Sequence, residues 1–311
     1  MNRYTELGIT PGNAICYSGY RHGQSPDTDT HPSYEQVKQD LMILHGRWAY
    51  LRLYDCNAHA ETVLEVIRRE KFNFKVMLGA WLGAEMNNFG CPWGGIYTDS
   101  ILEANRRNNL AGIKKLAMFA NRYPDIIFST SVGNEATVDW TDHFVSVDSV
   151  IEYARIMKRT TRQPVTFCEN YLPWLNKLKP LAAEVDFISI HTYPVWEHKH
   201  IGEALGYTVQ NFNDVAEMYP GKPVMITEAG WATNSNGRGI NTDNVSEDYQ
   251  EVYYNDLMRW CGEEGIITFF FEAFDEPWKG FSEEDEPEKH WGLFYENRKP
   301  KKVMQNKPSM K

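Results

Sequence analysis

The run Asp125-Ile126-Ile127-Phe128-Ser129-Thr130-Ser131-Val132-Gly133-Asn134-Glu135 reads as a β-strand that ends in a glycine, an amide and a carboxylate. Its β-branched and aromatic residues suit a buried strand. The glycine permits a sharp turn or a close backbone approach where the strand stops. A single glutamate at a strand end is ordinarily a solvated loop charge. Here the arrangement recurs in Lys222-Pro223-Val224-Met225-Ile226-Thr227-Glu228-Ala229-Gly230-Trp231. Two carboxylates are thus delivered to strand tips, and the fold decides whether they meet.

Working outward, strand-like and helix-like stretches alternate along the chain. Besides the two strands above, strands are predicted at 14–20, 50–54, 74–81, 164–169, 185–191 and 266–272. Helices are predicted from the Ser33 cap to about 46, and at 61–71, 99–122, 147–160, 175–183, 204–219 and 247–264, with a long loop at 83–98. Eight strands alternating with helices or loops, without a linker or a composition break, predict an α/β protein with one (β/α)8 TIM barrel domain over 1–311. A doubly wound sheet has the same alternation, but no Gly-x-Gly-x-x-Gly follows the first strand. The tail from about 299 to 311 is expected to be disordered, and the basic run 298–302 to be a solvated end.

Composition narrows the function. A net charge of −10 disfavours a nucleic-acid surface. No window approaches eighteen apolar residues, so no membrane-spanning segment is predicted. The N-terminus shows no apolar run with a cleavage site; either the protein is intracellular or a leader has been trimmed. The five cysteines lack Cys-x-x-Cys spacing, which implies neither zinc nor a disulfide framework. Aromatic residues reach 14%, enough to furnish sugar-stacking rings as well as core.

In a barrel the residues at strand C-termini build the site. Those of chemical interest are Arg52, Tyr54, Asp55, Trp81, Asn134, Glu135, Glu169, His191, Tyr193, Glu228, Glu272 and Glu276. The fourth and seventh strand ends face each other across the mouth. Two carboxylates about 5–5.5 Å apart suit double displacement at an anomeric carbon, which suggests a glycosidase that retains configuration. A metal could compete for His191 with Glu228, Glu169 and Asp55, but no His-x-His or other ligand spacing supports it, so neither metal nor cofactor is expected.

These residues carry a family resemblance. Gly133-Asn134-Glu135 and Thr227-Glu228-Ala229-Gly230-Trp231 resemble the paired signatures of clan A glycoside hydrolases, specifically family 17. Leu51-Arg52-Leu53-Tyr54-Asp55 resembles its strand-two Arg-x-Tyr, and the stretch from Phe271 through Asp275-Glu276-Pro277-Trp278-Lys279 its strand-eight motif. Trp291-Gly292-Leu293-Phe294 is similar to its Phe-Gly-Leu-Phe close. Ala229 and Trp291 stand where plant members usually have Ser and Phe.

The resemblance implies Glu135 as general acid/base, Glu228 as nucleophile and Asn134 as hydrogen-bond partner of the sugar 2-hydroxyl. It implies a β-1,3-glucan of the laminarin type as partner, endo action, and a secreted, periplasmic or cell-surface location. Tyr54 and Tyr193 are candidates to tune or hold Glu228. Glu276 and Lys279 would polarise the acid/base or form a loop ion pair, and Trp140 and Trp231 would stack on glucose rings. A glucanosyltransferase on the same site and a non-catalytic glucan-binding barrel remain alternatives. Mannanase or galactanase specificity would share both glutamates and differ in the loops.

Overall fold

The computed structural model describes residues 3–305. Their strands are β1 (Ala14–Cys16), β2 (Tyr50–Leu53), β3 (Lys75–Gly79), β4 (Ile127–Asn134), β5 (Val165–Asn170), β6 (Ile188–His191), β7 (Val224–Ala229) and β8 (Thr268–Phe270). Each pairs in parallel with the next, and β8 pairs with β1 to close the barrel. The (β/α)8 architecture expected from the alternation is the architecture observed.

The helices are α1 (Tyr34–Leu44), α2 (Ala58–Glu70), α3 (Asp99–Arg122), α4 (Val147–Thr160), α5 (Tyr171–Asn176), α6 (Lys179–Ala182), α7 (Ile201–Met218), α8 (Glu247–Glu264) and a last turn, α9 (Lys302–Gln305). Short polar side chains start the longer ones. Ser33 forms a capping box with Gln36, while Ser146 and Ser246 accept the N–H of Ser149 and Tyr249. Each such cap stabilises its helix by about 1 kcal/mol. Gly265, at φ 66°, supplies the left-handed stop of α8. Apolar residues at helical spacing, such as Val150, Ile151, Ala154 and Met157 of α4, bury one face against the barrel.

Several boundaries differ from the sequence reading for local reasons. Helix α2 starts at Ala58 rather than 61 because Asn57 caps it by accepting the Ala60 N–H. Pro180 begins a new helix, so 175–183 is covered by α5 and α6. Strand β1 stops at Cys16 rather than 20: the Tyr17 N–H still donates to the Arg52 carbonyl at 3.0 Å, but the Gly19 carbonyl accepts from the Arg298 side chain instead of a strand.

The C-terminal expectation is corrected for the part described. Arg298 and Lys301 are buried rather than solvated, because each meets an acid. Arg298 donates to Asp40 at 2.8 and 2.7 Å, and Lys301 Nζ to Asp275 at 2.7 Å. The N–H of Lys302 bonds Glu247 at the start of α8, and Val303 and Met304 are buried. Residues 306–311 lie outside the described part.

Besides a shift between Val76 and Met77 near the start of β3, three ladder irregularities fall at the C-terminal ends of strands. The register shifts between Ser131 and Asn134, between Ile190 and His191, and between Ile226 and Ala229. Such bulges re-aim side chains. Here they lie beside Glu135, His191 and Glu228.

Candidate active site

Glu135 follows the bulge of β4, with its backbone at φ 44°. A left-handed non-glycine residue costs about 1–3 kcal/mol and persists where its surroundings hold it. The surroundings are visible at Gly133, at φ 133°, where an added Cβ would lie 2.8 Å from Leu82 and 2.9 Å from Phe167. The glycine lets the strand pass this constriction and turn Glu135 into the mouth. Its N–H remains tied to the carbonyl of Cys168 at 2.9 Å.

Glu228 lies within β7 and is buried. Arg52 Nη1 donates to its Oε1 at 2.5 Å, and the Tyr193 hydroxyl donates to its Oε2 at 2.6 Å. Burial alone would raise its pKa, but the charges of His191 and Arg52, with the Tyr193 hydrogen bond, pull it well below the ordinary carboxylate range. Arg52 also donates from Nη2 to the Asn134 Oδ1 at 2.5 Å, so one guanidinium fixes both the carboxylate and the amide. Its face rests on the Tyr54 ring, 4.3 Å from the centroid.

His191, the β6 residue paired with Glu228 across the ladder, is fully buried. Its Nδ1 is 2.8 Å from Glu135 Oε1 and 3.5 Å from Glu228 Oε2. Burial opposes protonation, yet the charge of Glu228 and the contacts with Cys168 and Glu135 raise its pKa to about 10. The raised pKa favours a protonated ring between Glu135 and Glu228. Glu135, Glu228 and His191 bring one donor atom each within 4.8 Å of one another, enough for a metal by geometry. A cation there would compete with the imidazolium and with Arg52, which is against the chemistry of a zinc-type site needing a neutral imidazole.

Of the residues singled out from sequence, the structure brings together Glu135, Glu228, Asn134 and Tyr193, with Tyr54 behind Arg52. The Tyr54 hydroxyl, expected as a donor to Glu228, is buried with no hydrogen-bond partner among the described residues; the Tyr193 hydroxyl donates to Glu228 instead. Trp140 is exposed on the loop after β4. Trp231 does not line the mouth: it is fully buried against Tyr253, and its indole N–H bonds the Asn244 carbonyl. Glu276 is also fully buried.

The Glu276–Lys279 pair takes the ion-pair form. Lys279 Nζ lies 2.5 Å from Glu276 and 3.4 Å from Glu272. Burial raises the Glu272 pKa well above normal, whereas at Glu276 the same burial is outweighed by Lys279 and by hydrogen bonds, and its pKa is lowered. The two carboxyl groups are thus pushed in opposite directions around one ammonium. Neither Glu276 nor Lys279 hydrogen-bonds Glu135 among the described residues.

Arg52 and His191, which the sequence places at strand ends without a stated role, contact the two glutamates in the structure. The available signal was a charge inside the apolar strand Tyr50–Leu53, which burial obliges to find an anion. For His191 it was the spacing His191-Thr192-Tyr193, which puts two polar rings on one face of a strand end.

Comparison with known proteins adds to this geometry. The BtgE/BtgC glycoside hydrolase domain matches residues 14–292. The chain is 30% identical over 297 residues to the probable glucan endo-1,3-beta-glucosidase btgC of Aspergillus flavus, covering 87% of this chain. It spans 40% of that relative's length. An endo-laminarinase from Formosa Hel1_33_131 superposes with a TM-score of 0.82 at 28% identity, covering 94% of this chain and 86% of that one. A β-1,3-glucanosyltransferase of Rhizomucor miehei, at 19% identity and a TM-score of 0.74 over 96% of this chain and 98% of that one, shares the fold.

Proposed function

The chain belongs to the BtgE/BtgC glycoside hydrolase domain family, and from that premise we propose that it cleaves β-1,3-glucosidic bonds within laminarin-type glucan, with retention of configuration. The observation that carries the mechanism is the closeness of Glu135 and Glu228, whose nearest oxygens lie within 4.8 Å. That separation suits attack by one carboxylate on the anomeric carbon, whereas the inverting route needs about 6.5–9.5 Å to seat a water. The specificity rests on the relatives named as endo-1,3-glucosidase and endo-laminarinase. We place the chain with the family 17, clan A enzymes on the motifs at β2, β4, β7 and β8.

The surroundings divide the roles. Glu228 is held ionised by Arg52, His191 and Tyr193 and is the nucleophile. Glu135, more exposed and hydrogen-bonded to His191, protonates the departing glycosidic oxygen and then takes a proton from the water that opens the glycosyl–Glu228 ester. As the ester forms, the negative charge of Glu228 disappears and Arg52 turns more fully to Asn134, whose amide nitrogen is left to meet the sugar 2-hydroxyl. A polymeric substrate is met outside the cytoplasm, so secretion or a periplasmic or cell-surface site is part of the proposal.

The experiment is digestion of laminarin beside mixed-linkage glucan, mannan and galactan, followed by NMR of the first-formed anomer. Expected are laminari-oligosaccharides of several lengths, released initially as the β-anomer. An α-anomer would overturn retention. Products longer than the substrate would make the activity a transfer, and cleavage confined to mannan or galactan would overturn the specificity.

A further inference from the structure

Six of the fourteen large apolar side chains exposed among the described residues lie on the two connections that follow β3 and β4. They are Trp81 after β3, Met86, Phe89, Trp93 and Ile96 in the loop 83–98, and Trp140 in the loop after β4. Phe89 is 85% exposed and Trp93 58%. Such a concentration of exposed apolar side chains on two neighbouring connections points to a binding surface.

The loop that carries them is built to hold its shape. The N–H of Asn88 donates to the Gly95 carbonyl at 2.8 Å and closes the segment on itself. Gly95, at φ 83°, makes that closure possible, since a Cβ there would sit 3.0 Å from the Asn88 carbonyl oxygen. The Asn88 side chain then donates to the carbonyls of Asp139 and Thr141, both at 2.8 Å, on either side of Trp140. Cys91 Sγ donates to the Trp140 carbonyl at 3.2 Å. Two loops are thereby fastened into one rim, and ordering cost on binding is reduced.

The rim runs into the catalytic site. The Trp81 ring stacks on His143, with centroids 4.5 Å apart, and His143 Nε2 lies 3.0 Å from the Asn134 carbonyl oxygen. Charge disfavours anionic ligands: Glu85, the one charged residue in 83–98, is buried against Asn109 and Tyr153, and the loop that carries Trp140 adds the exposed acids Asp139 and Asp142. A neutral polymer with apolar faces fits this surface; an anionic lipid or nucleic acid does not.

We propose that this rim is a platform for the distal part of the glucan chain, on which Phe89 and Trp93 stack against pyranose faces beyond the residues flanking the cleaved bond. The inference rests on the glucanase reading above and adds a specificity element to it. The platform selects polymer over short oligosaccharide, because only a long chain reaches from the carboxylates to the loop.

The test compares wild type with Phe89→Ala/Trp93→Ala, whose side chains are exposed and outside the catalytic machinery. The KM for laminarin is expected to rise about tenfold on loss of two aromatic contacts, while kcat/KM for an aryl β-laminaribioside is unchanged. Equal rates on both substrates, or equal losses on both, overturn the platform. A wild type that sediments as a dimer and a double variant that is monomeric, with unaltered laminarin kinetics, would assign the patch to self-association instead. Wild type that leaves laminarin uncut overturns the glucanase reading itself; wild type that cuts it no better than the double variant overturns the platform alone.

Discussion

Glu228 and Glu135 are the same residue type at two strand ends of one barrel, yet the fold treats them in opposite ways. Glu228 stays within the β7 ladder, is buried, and is held by Arg52, Tyr193 and His191. Glu135 lies past a bulge with a left-handed backbone, is more exposed, and shares His191 with its partner. Three side chains converge on Glu228, whereas among the described side chains His191 alone hydrogen-bonds Glu135. The proposed retaining route needs such an asymmetry, because its acid and its nucleophile must be in different protonation states at one pH.

The sharpest way to break this comparison is to remove each carboxylate and ask what a small anion does in its place. Glu228→Ala is expected to lose on the order of ten-thousandfold or more in kcat. Azide entering its cavity would attack from the nucleophile's face and give the α-glucosyl azide. Glu135→Ala is expected to lose about a hundredfold to ten-thousandfold on laminarin, and much less on an aryl glucoside whose leaving group needs no proton. Azide would then intercept the ester on Glu228 and give the β-glucosyl azide. If the two product anomers were exchanged, the roles given to the glutamates would be exchanged too.

What could be read beforehand follows from which interactions are local. The barrel was legible because strand and helix periodicity are short-range, and Glu135, Asn134, Tyr193 and Glu228 were legible because barrel sites form at strand ends. The role of Arg52 was harder to see, since it depends on contacts 176 and 82 residues away in sequence, to Glu228 and Asn134. Trp231 shows the limit from the other side. Its position past β7 was read correctly, but the turn sends the ring under α8 to bond Asn244, a direction that position alone does not encode. Lys301 is similar, for its burial depends on Asp275 and Thr233 rather than on its basic neighbours.

His191 joins the two halves of the comparison, and His191→Asn sharpens it by keeping a nitrogen donor near the place of Nδ1 without the charge. Activity is expected to fall about tenfold to a hundredfold as Glu135 loses its alignment. Stability supplies an independent reading. The folded-state pKa of His191 is raised to about 10 from an ordinary value of 6.5. Its protonation therefore favours the folded state fully below pH 6.5, and that contribution is lost as pH rises through 10. Wild type should lose more Tm between pH 7 and 10 than His191→Asn does. Parallel losses would mean that the imidazole is neutral in the folded protein and that the bridge is a simple hydrogen bond.

The smallest effect concerns the backbone that makes Glu135 different. Gly133→Ala leaves every catalytic side chain in place, but its methyl would press on Leu82 and Phe167 at a φ of 133°. Overpacking and the strained backbone together predict a loss on the order of 2–3 kcal/mol in stability, seen as a lower urea midpoint. The folded fraction should lose only a few-fold in kcat on laminarin, as small displacements of a catalytic group are tolerated less than surface changes but more than its removal. On an aryl glucoside, where proton donation is not needed to break the bond, that few-fold loss should shrink. A loss that was equal on both substrates would mean the substitution disturbs Glu228 as well, and the separation between a rigid nucleophile and a bulge-mounted acid would fail.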